Sequence, residues 1–341
     1  MKLLVEVIVF VFLLWSSDST AKRPARINPW CLKAPGLTSS QRKLCLRVPG
    51  LQTAIKKGIE KGLQECEREF QWNRWNCSLL DRKNLVRRAP DGTKEAAFTT
   101  ALLSAAIALS IAKACTSKDV TECSCEGAKR PFHGQSLKWR GCSVNIRYGT
   151  YSAERFMLSG RGNNSKINTI MKQNVRVGLE VLKENRLVKC TVGTSGRIKS
   201  CQLILPPLQK ISRIIKAKYY KATRVIATRR DRKKSYYLRT VGSSRNHGRP
   251  KSKKPKKSSL VYFSQSPSYC YRQDQYSIPG TRGRQCQRNT LKEDDCTFMC
   301  CGRGYKREAK FQKRFCHCKA SADEPCSCKI CTDVIIENKC L

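Results

Sequence analysis

Residues 270–340 read CYRQDQYSIPGTRGRQCQRNTLKEDDCTFMCCGRGYKREAKFQKRFCHCKASADEPCSCKICTDVIIENKC. This stretch decides the fold, because it is rich in cysteine and poor in large apolar side chains. A segment that cannot bury a sizeable apolar core is closed by covalent links or by metal. The rest of the chain must then mature where such links survive.

The N-terminus points to that compartment. Lys2 precedes the apolar run Val7–Trp15, and SSDSTA follows, with small residues at Ser19 and Ala21. This predicts a secretory signal over residues 1–21. A secreted chain keeps its disulfides, so the signal and the 21 cysteines support each other. The formal net charge of +43 predicts a polyanionic partner. Outside the cytosol that partner is a sulfated polysaccharide such as heparan sulfate, and nucleic acid is excluded.

At 341 residues the chain has room for about two domains. Residues 22–227 read as helical. In 51–70, Ile55, Ile59, Leu63, Cys66 and Phe70 share one helix face, and Cys66 and Cys77 can close a loop that holds Trp72 and Trp75. Ala96–Ala112 is uncharged, rich in Ala and slightly short of a bilayer span, so a buried core helix is expected. Tyr151–Leu158 and Ile167–Leu187 follow as helices. Cys190 and Cys201 flank a glycine-bearing turn between strand-forming residues, which predicts a hairpin over 187–201 closed by its own disulfide. A link of that span contributes roughly 3 kcal/mol by restricting the unfolded chain. After Pro207 a further helix is expected, with Leu208, Ile211, Ile214, Ile215, Tyr219, Ala222, Val225 and Ile226 in helical spacing.

Residues 228–258 are dense in Arg and Lys, and carry Gly, Pro and Ser. By composition they form a disordered basic linker. Arg229, Arg230, Lys233, Lys234, Lys253, Lys254, Lys256 and Lys257 are its polyanion contacts. Residues 259–341 form the cystine-rich domain. Asn76 and Asn163 head N-x-S triplets and are candidate glycosylation sites. The C-x-C spacing at Cys123–Cys125 suits zinc poorly, so disulfides are preferred to metal. His133, His247 and His317 lie in loop-like surroundings with no nucleophile–base–carboxylate pattern, so no catalytic residues are assigned and no enzyme is expected.

Several motifs resemble the Wnt family of secreted signalling glycoproteins over nearly the whole mature chain. They are RWNCS (74–78), GTKEAAF (92–98), ACTS with ECSC (114–125), KWRGCSVNIRYG (138–149), LVYFSQSPSYC (260–270), GTRGRQC (280–286) and CTFMCCGRGY (296–305). IAKACTS and the LVY–SP stretch look most like the polarity-signalling branch. The resemblance implies an α+β, disulfide-rich fold: an N-terminal helical domain with a disulfide-closed hairpin, the thumb, and a C-terminal cystine-rich β-hairpin domain, the index finger. It implies the pairs Cys66–Cys77, Cys115–Cys123, Cys125–Cys142, Cys190–Cys201, Cys270–Cys301, Cys286–Cys296, Cys300–Cys340, Cys316–Cys331 and Cys318–Cys328, with Cys31–Cys45 as a further candidate. It also implies a developmental ligand in the extracellular matrix, binding the cysteine-rich domain of a Frizzled-type receptor, together with a co-receptor. A palmitoleoyl chain on a thumb-tip serine would contribute roughly 0.8 kcal/mol per buried CH₂. That chain would be the only link to a membrane, and no other cofactor is implied.

Both departures from the family pattern fall on the tips. In the thumb, Val192 stands where an inner Cys belongs, and the turn Gly193-Thr194-Ser195-Gly196 is short. Ser195 fits the acylated serine, whereas an ungapped alignment places Gly196 or Gly193 there. In the finger, the family's aromatic pair and adjacent Cys-Cys become Ala320-Ser321-Ala322-Asp323-Glu324, and Cys326 is left over. The implied function is a Wnt-like ligand retained by heparan sulfate. The alternative is a non-lipidated antagonist, or a binder of another extracellular partner.

Overall fold

A computed structural model describes residues 30–78, 89–126, 142–161, 165–192, 198–230, 235–241, 253–319 and 327–341. The expected signal at 1–21 lies outside them.

One helix organises the N-terminal part: α4 (Lys94–Thr116), preceded by α1 (Trp30–Lys33), α2 (Ser39–Arg47) and α3 (Leu51–Glu69). By length and composition α4 could cross a membrane, but 89% of its most apolar window is buried against other helices. A helix apolar on all sides needs partners on all sides. These are α3, α5 (Ile146–Leu158), α6 (Lys166–Glu184) and α7 (Leu208–Tyr220), each burying one stripe. The alanines of α4 let the neighbours come close. A Cβ on Gly58 of α3 would lie 2.6 Å from Cα of Ile107, and one on Gly149 of α5 would lie 2.5 Å from the Ala108 carbonyl oxygen.

The helix ends are set locally. Thr93 caps α4 by accepting from Ala96 N–H. Thr38 and Gln41 form a reciprocal capping box on α2, and the Gln41 amide donates to Phe156 O of α5. Ile55, Ile59, Leu63, Cys66 and Phe70 are buried as their spacing predicts. Trp75 is buried beside Phe70 with ring centroids 4.8 Å apart, while Trp72 is half-exposed.

Helix α6 leads into the antiparallel hairpin β1 (Leu187–Val192) and β2 (Ile198–Ile204). The expected helix through Val225 and Ile226 ends earlier. Helix α7 stops at Tyr220, and β3 (Thr223–Arg230) begins after two intervening residues. The run Thr223-Arg224-Val225-Ile226 is rich in β-branched residues, which fit a pleated surface better than a helix. Val225 packs with Ile170 and Val261, whereas Ile226 faces solvent.

The basic linker is corrected as well. Strand β3 pairs with β4 (Ser235–Thr240) from Val225↔Thr240 to Arg230↔Ser235, and runs parallel to β5 (Val261–Tyr262). Beyond the hairpin, Thr240 and Lys253 exchange main-chain and side-chain hydrogen bonds. The Gln173 amide donates to the carbonyl oxygens of Lys256 and Lys257, and Pro255 is buried. Composition misled because Tyr236, Tyr237 and Leu238 form strand between the charges.

The C-terminal module has β6 (Gln285–Cys286), α8 (Cys296–Met299), β7 (Tyr305–Lys319) and β8 (Ser327–Cys340), with sheet order β6-β8-β7. Its small core is Met299 packed with Cys286, Cys296, Cys300 and Cys340. The cystines Cys286–Cys296 and Cys300–Cys340 lie against each other, with 3.6 Å between sulfurs of Cys300 and Cys286. Sulfur thus replaces hydrocarbon where the sequence supplies few large apolar residues.

Candidate functional site: two disulfide-closed hairpins and a basic groove

Two hairpins extend from this frame. In the first, Cys190 and Cys201 stand directly opposite each other, with Cα atoms 4.0 Å apart, and are disulfide-bonded. Its base is fixed to the 143–144 segment: Val144 N–H donates to Leu203 O at 3.0 Å, and Leu203 N–H donates to Ser143 Oγ at 3.1 Å. Val192 pairs with Ile198 after a register shift, so five residues, 193–197, connect the paired positions. Gly193, Thr194, Ser195 and Gly196 lie outside the described residues.

The second hairpin is longer. Strands β7 and β8 pair from Tyr305↔Cys340 to Cys316↔Lys329, with a shift before Lys319↔Ser327. Cys316–Cys331 and Cys318–Cys328 staple its outer half. Near its base, hydrogen bonds from Lys306 and Lys339 hold the half-exposed Glu308 carboxyl down at about 2. Ala320, Ser321, Ala322 and Cys326 lie outside the described residues.

The remaining pairs are Cys31–Cys45, Cys66–Cys77, Cys115–Cys123, Cys125–Cys142 and Cys270–Cys301. Together these are the nine bridges implied by the resemblance, plus the further candidate. Among the described residues, two clusters bring metal-ligating atoms together, Cys286-Cys300-Cys340 and Cys316-His317-Cys331. Every cysteine in them is oxidised to cystine, so neither offers the thiolate that would bind a metal.

Asn76 lies in the loop closed by Cys66–Cys77, half-exposed, and accepts from Ser78 through its amide oxygen. That bond does not use Nδ2, the atom that would carry a glycan. Asn163 falls outside the described residues.

Five basic residues gather around one groove. A groove of about 550 Å³ lies between α6, β4 and the 254–257 segment. Lys172 and Arg176 line it from α6, Arg239 from β4, and Lys254 and Lys257 from the returning chain. Arg176 is partly neutralised by Glu154 at 3.1 Å. Of the predicted contacts, Lys254 and Lys257 line the groove, Lys253 and Lys256 are exposed next to it, and Arg229 is exposed on β3. The main chain of Arg230 continues β3, and Lys233 and Lys234 lie outside the described residues. Sequence reasoning missed Lys172, Arg176 and Arg239. The period of α6 already placed Lys172 and Arg176 four residues apart on one face.

The most specific motifs meet in space. In GTKEAAF, the Gly92 carbonyl accepts from Phe263 and Ser264 N–H of LVYFSQSPSYC, and the Glu95 carboxylate accepts from Ser266 Oγ at 2.6 Å and Tyr219 OH at 2.9 Å. In RWNCS, the Arg74 guanidinium stands 3.9 Å over the Phe298 ring of CTFMCCGRGY.

The Wnt family model matches residues 33–341. The chain belongs to the Wnt family. It is 32% identical to protein Wnt-5b of Mus musculus over 326 residues, covering 92% of this chain and 88% of that protein. Wnt-5b of Pongo abelii matches at the same identity and coverage. In three dimensions the chain resembles a chain of the solved complex of human WLS with WNT8A. The TM-score is 0.55 at 24% identity, over 85% of this chain and 93% of that one. The fold is therefore the α+β, disulfide-rich Wnt architecture. As a Wnt family member, the chain is a secreted, Wnt-like developmental signal.

Proposed function

We propose that this Wnt acts as a ligand for a Frizzled-type receptor, gripping the receptor's cysteine-rich domain between its two hairpin ends. The observation carrying this reading is the pair of hairpins stapled near their tips, by Cys190–Cys201 and by Cys318–Cys328. Stapled strands hold a contact surface with little ordering cost on binding. The basic groove is read as the seat of heparan sulfate, which would keep the ligand close to cells. Purified protein titrated against the set of Frizzled ectodomains tests the first statement: saturable binding to at least one is expected, and none to any rejects it. For the second, Arg239→Glu with Lys254→Glu lowers the salt needed to elute the protein from heparin; an unchanged elution point rejects the groove.

The short thumb turn favours a second reading. With Val192 paired to Ile198, five residues separate the strands, and one candidate serine, Ser195, stands among them. If Ser195 carries no acyl chain, the protein binds without lipid and competes with acylated relatives. Mass spectrometry of the Cys190–Cys201 peptide decides between the two: a palmitoleoyl adduct supports the lipidated ligand, and an unmodified peptide supports the antagonist.

A further inference from the structure

The finger hairpin has two unlike faces. On one, Arg314 pairs with Asp333, Lys310 with Glu337 at 3.2 Å, and Lys339 bridges Glu308 and Glu337. That face is suited to water. On the other, the register sets Ala309 opposite Ile336, Phe311 opposite Val334, and Phe315 opposite Ile330. All five large side chains on it are open: Phe311 is 71% exposed, Phe315 73%, Ile330 65%, Val334 61% and Ile336 52%.

A two-stranded hairpin with one apolar face resembles half of a β-sandwich. The stripe runs over six residue steps, from Ala309 to Phe315, about 20 Å at ordinary strand rise. Its five large side chains present on the order of 600 Å², at the top of the range for a patch on a monomer. Lys313 is its one formal charge, and its stem can carry the ammonium to the rim. A charged partner would therefore find little to pair with. A copy of the same stripe matches it in length, width and polarity. Two copies face to face would remove about 1,200 Å² from water, which reaches the lower limit of a specific interface. A two-fold interface requires such a patch to be self-complementary.

We propose that the Phe311-Phe315-Ile330-Val334-Ile336 face is a self-association surface on which a second copy of this chain packs its own finger. The stripe lies on the strands below the tip, so the inference does not depend on the receptor reading.

Sedimentation velocity of the full secreted chain tests it, from sub-micromolar to tens of micromolar. A Ser195→Ala background removes any association driven by an acyl chain. A monomer–dimer equilibrium is expected in the micromolar range. Phe311→Ser with Phe315→Ser should weaken it about a hundredfold, as aromatic anchors do at interfaces. Lys310→Ala with Arg314→Ala, on the charged face, should leave it unchanged, and so should Cys326→Ser. Both phenylalanines are more than 70% exposed, so the thermal midpoint should not fall. If the Phe pair is nonetheless not secreted, Val334→Thr with Ile336→Thr replaces it with the same expectation. A monomer at every concentration overturns the proposal. So does a dimer insensitive to both apolar-face pairs, or one abolished by Cys326→Ser.

Discussion

Arg284 and Arg74 cross between the two halves of the molecule, each donating to main-chain oxygen on the other side. Arg284 Nη1 reaches the Arg74 carbonyl at 2.8 Å and Nη2 reaches the Gln71 carbonyl at 2.6 Å, while the Arg74 side chain donates to Phe298 O at 2.9 and 2.7 Å. Partial burial pulls the Arg284 guanidinium down to about 10. The loop closed by Cys66–Cys77 is thereby joined to the GTRGRQC segment.

Arg284→Met should remove these charge-assisted bonds from half-buried carbonyls, at a cost of about 2 kcal/mol. Arg284→Lys should rescue only part, because an ammonium cannot copy the planar fork. Urea denaturation checks both. Limited proteolysis should show the two halves separating earlier in the Met variant; unchanged curves for Met would mean that the crossing contributes nothing.

Asn174 holds the other seam. From α6 its buried side chain donates to Val261 O at 2.9 Å and accepts from Val261 N–H at 2.9 Å. Asn174→Leu keeps the volume and loses both bonds, so it should cost about 2–4 kcal/mol. Hydrogen exchange at Val261 reports the loss directly, and protection there should collapse before α4 opens.

Much of this architecture is written locally. Helix periods, the strand-forming residues beside Cys190 and Cys201 and the apolar run of α4 are short-range signals, and the structure follows them. The residues that failed are those whose state depends on distant partners. Val225 and Ile226 fit a helical period, yet Val225 is buried against Ile170 and Val261, and the strand results. Lys172 and Arg239 lie far apart in sequence, and only pairing of β4 beside α6 puts them in one groove. Charge density between 228 and 258 hid two strands, because it says nothing about which main-chain groups find partners. The pairing of the cysteines came from family resemblance, since spacing alone leaves many connectivities open.

Glu95 sets an alkaline limit. Burial raises the phenols of Tyr219 and Tyr269, and the nearby Glu95 carboxylate raises them further. Below pH about 10 these phenols stay protonated in both folded and unfolded chains. Above it the unfolded chain loses the proton first, so stability present at neutral pH is lost as pH rises. Tyrosinate absorbance should show Tyr219 and Tyr269 ionising only with unfolding. Tyr219→Phe should reduce the pH slope of the unfolding free energy above 10. A titration in which all tyrosines ionise together, with the fold intact, would contradict this.

Gly178 gives the sharpest test of the central packing. It lies on α6 where that helix meets α4, and a Cβ there would stand 2.0 Å from the Ala101 carbonyl oxygen and 2.5 Å from Ser104 Oγ. Ser104 Oγ already joins the helices by donating toward Ala101 O at 2.8 Å and Val175 O at 3.1 Å. Neither helix can yield alone, since α4 is enclosed by other helices. Gly178→Ala should therefore cost about 3 kcal/mol or more, despite the usual gain in helix propensity. Gly283→Ala is the comparison: no atom lies within 4 Å of its Cβ, and only its φ of +76° opposes the change. That strain is worth about 1–2 kcal/mol. Secreted yield and thermal midpoint of the two variants should rank Gly178→Ala well below Gly283→Ala; equal values would mean that the helices around α4 are held less tightly than their spacing indicates.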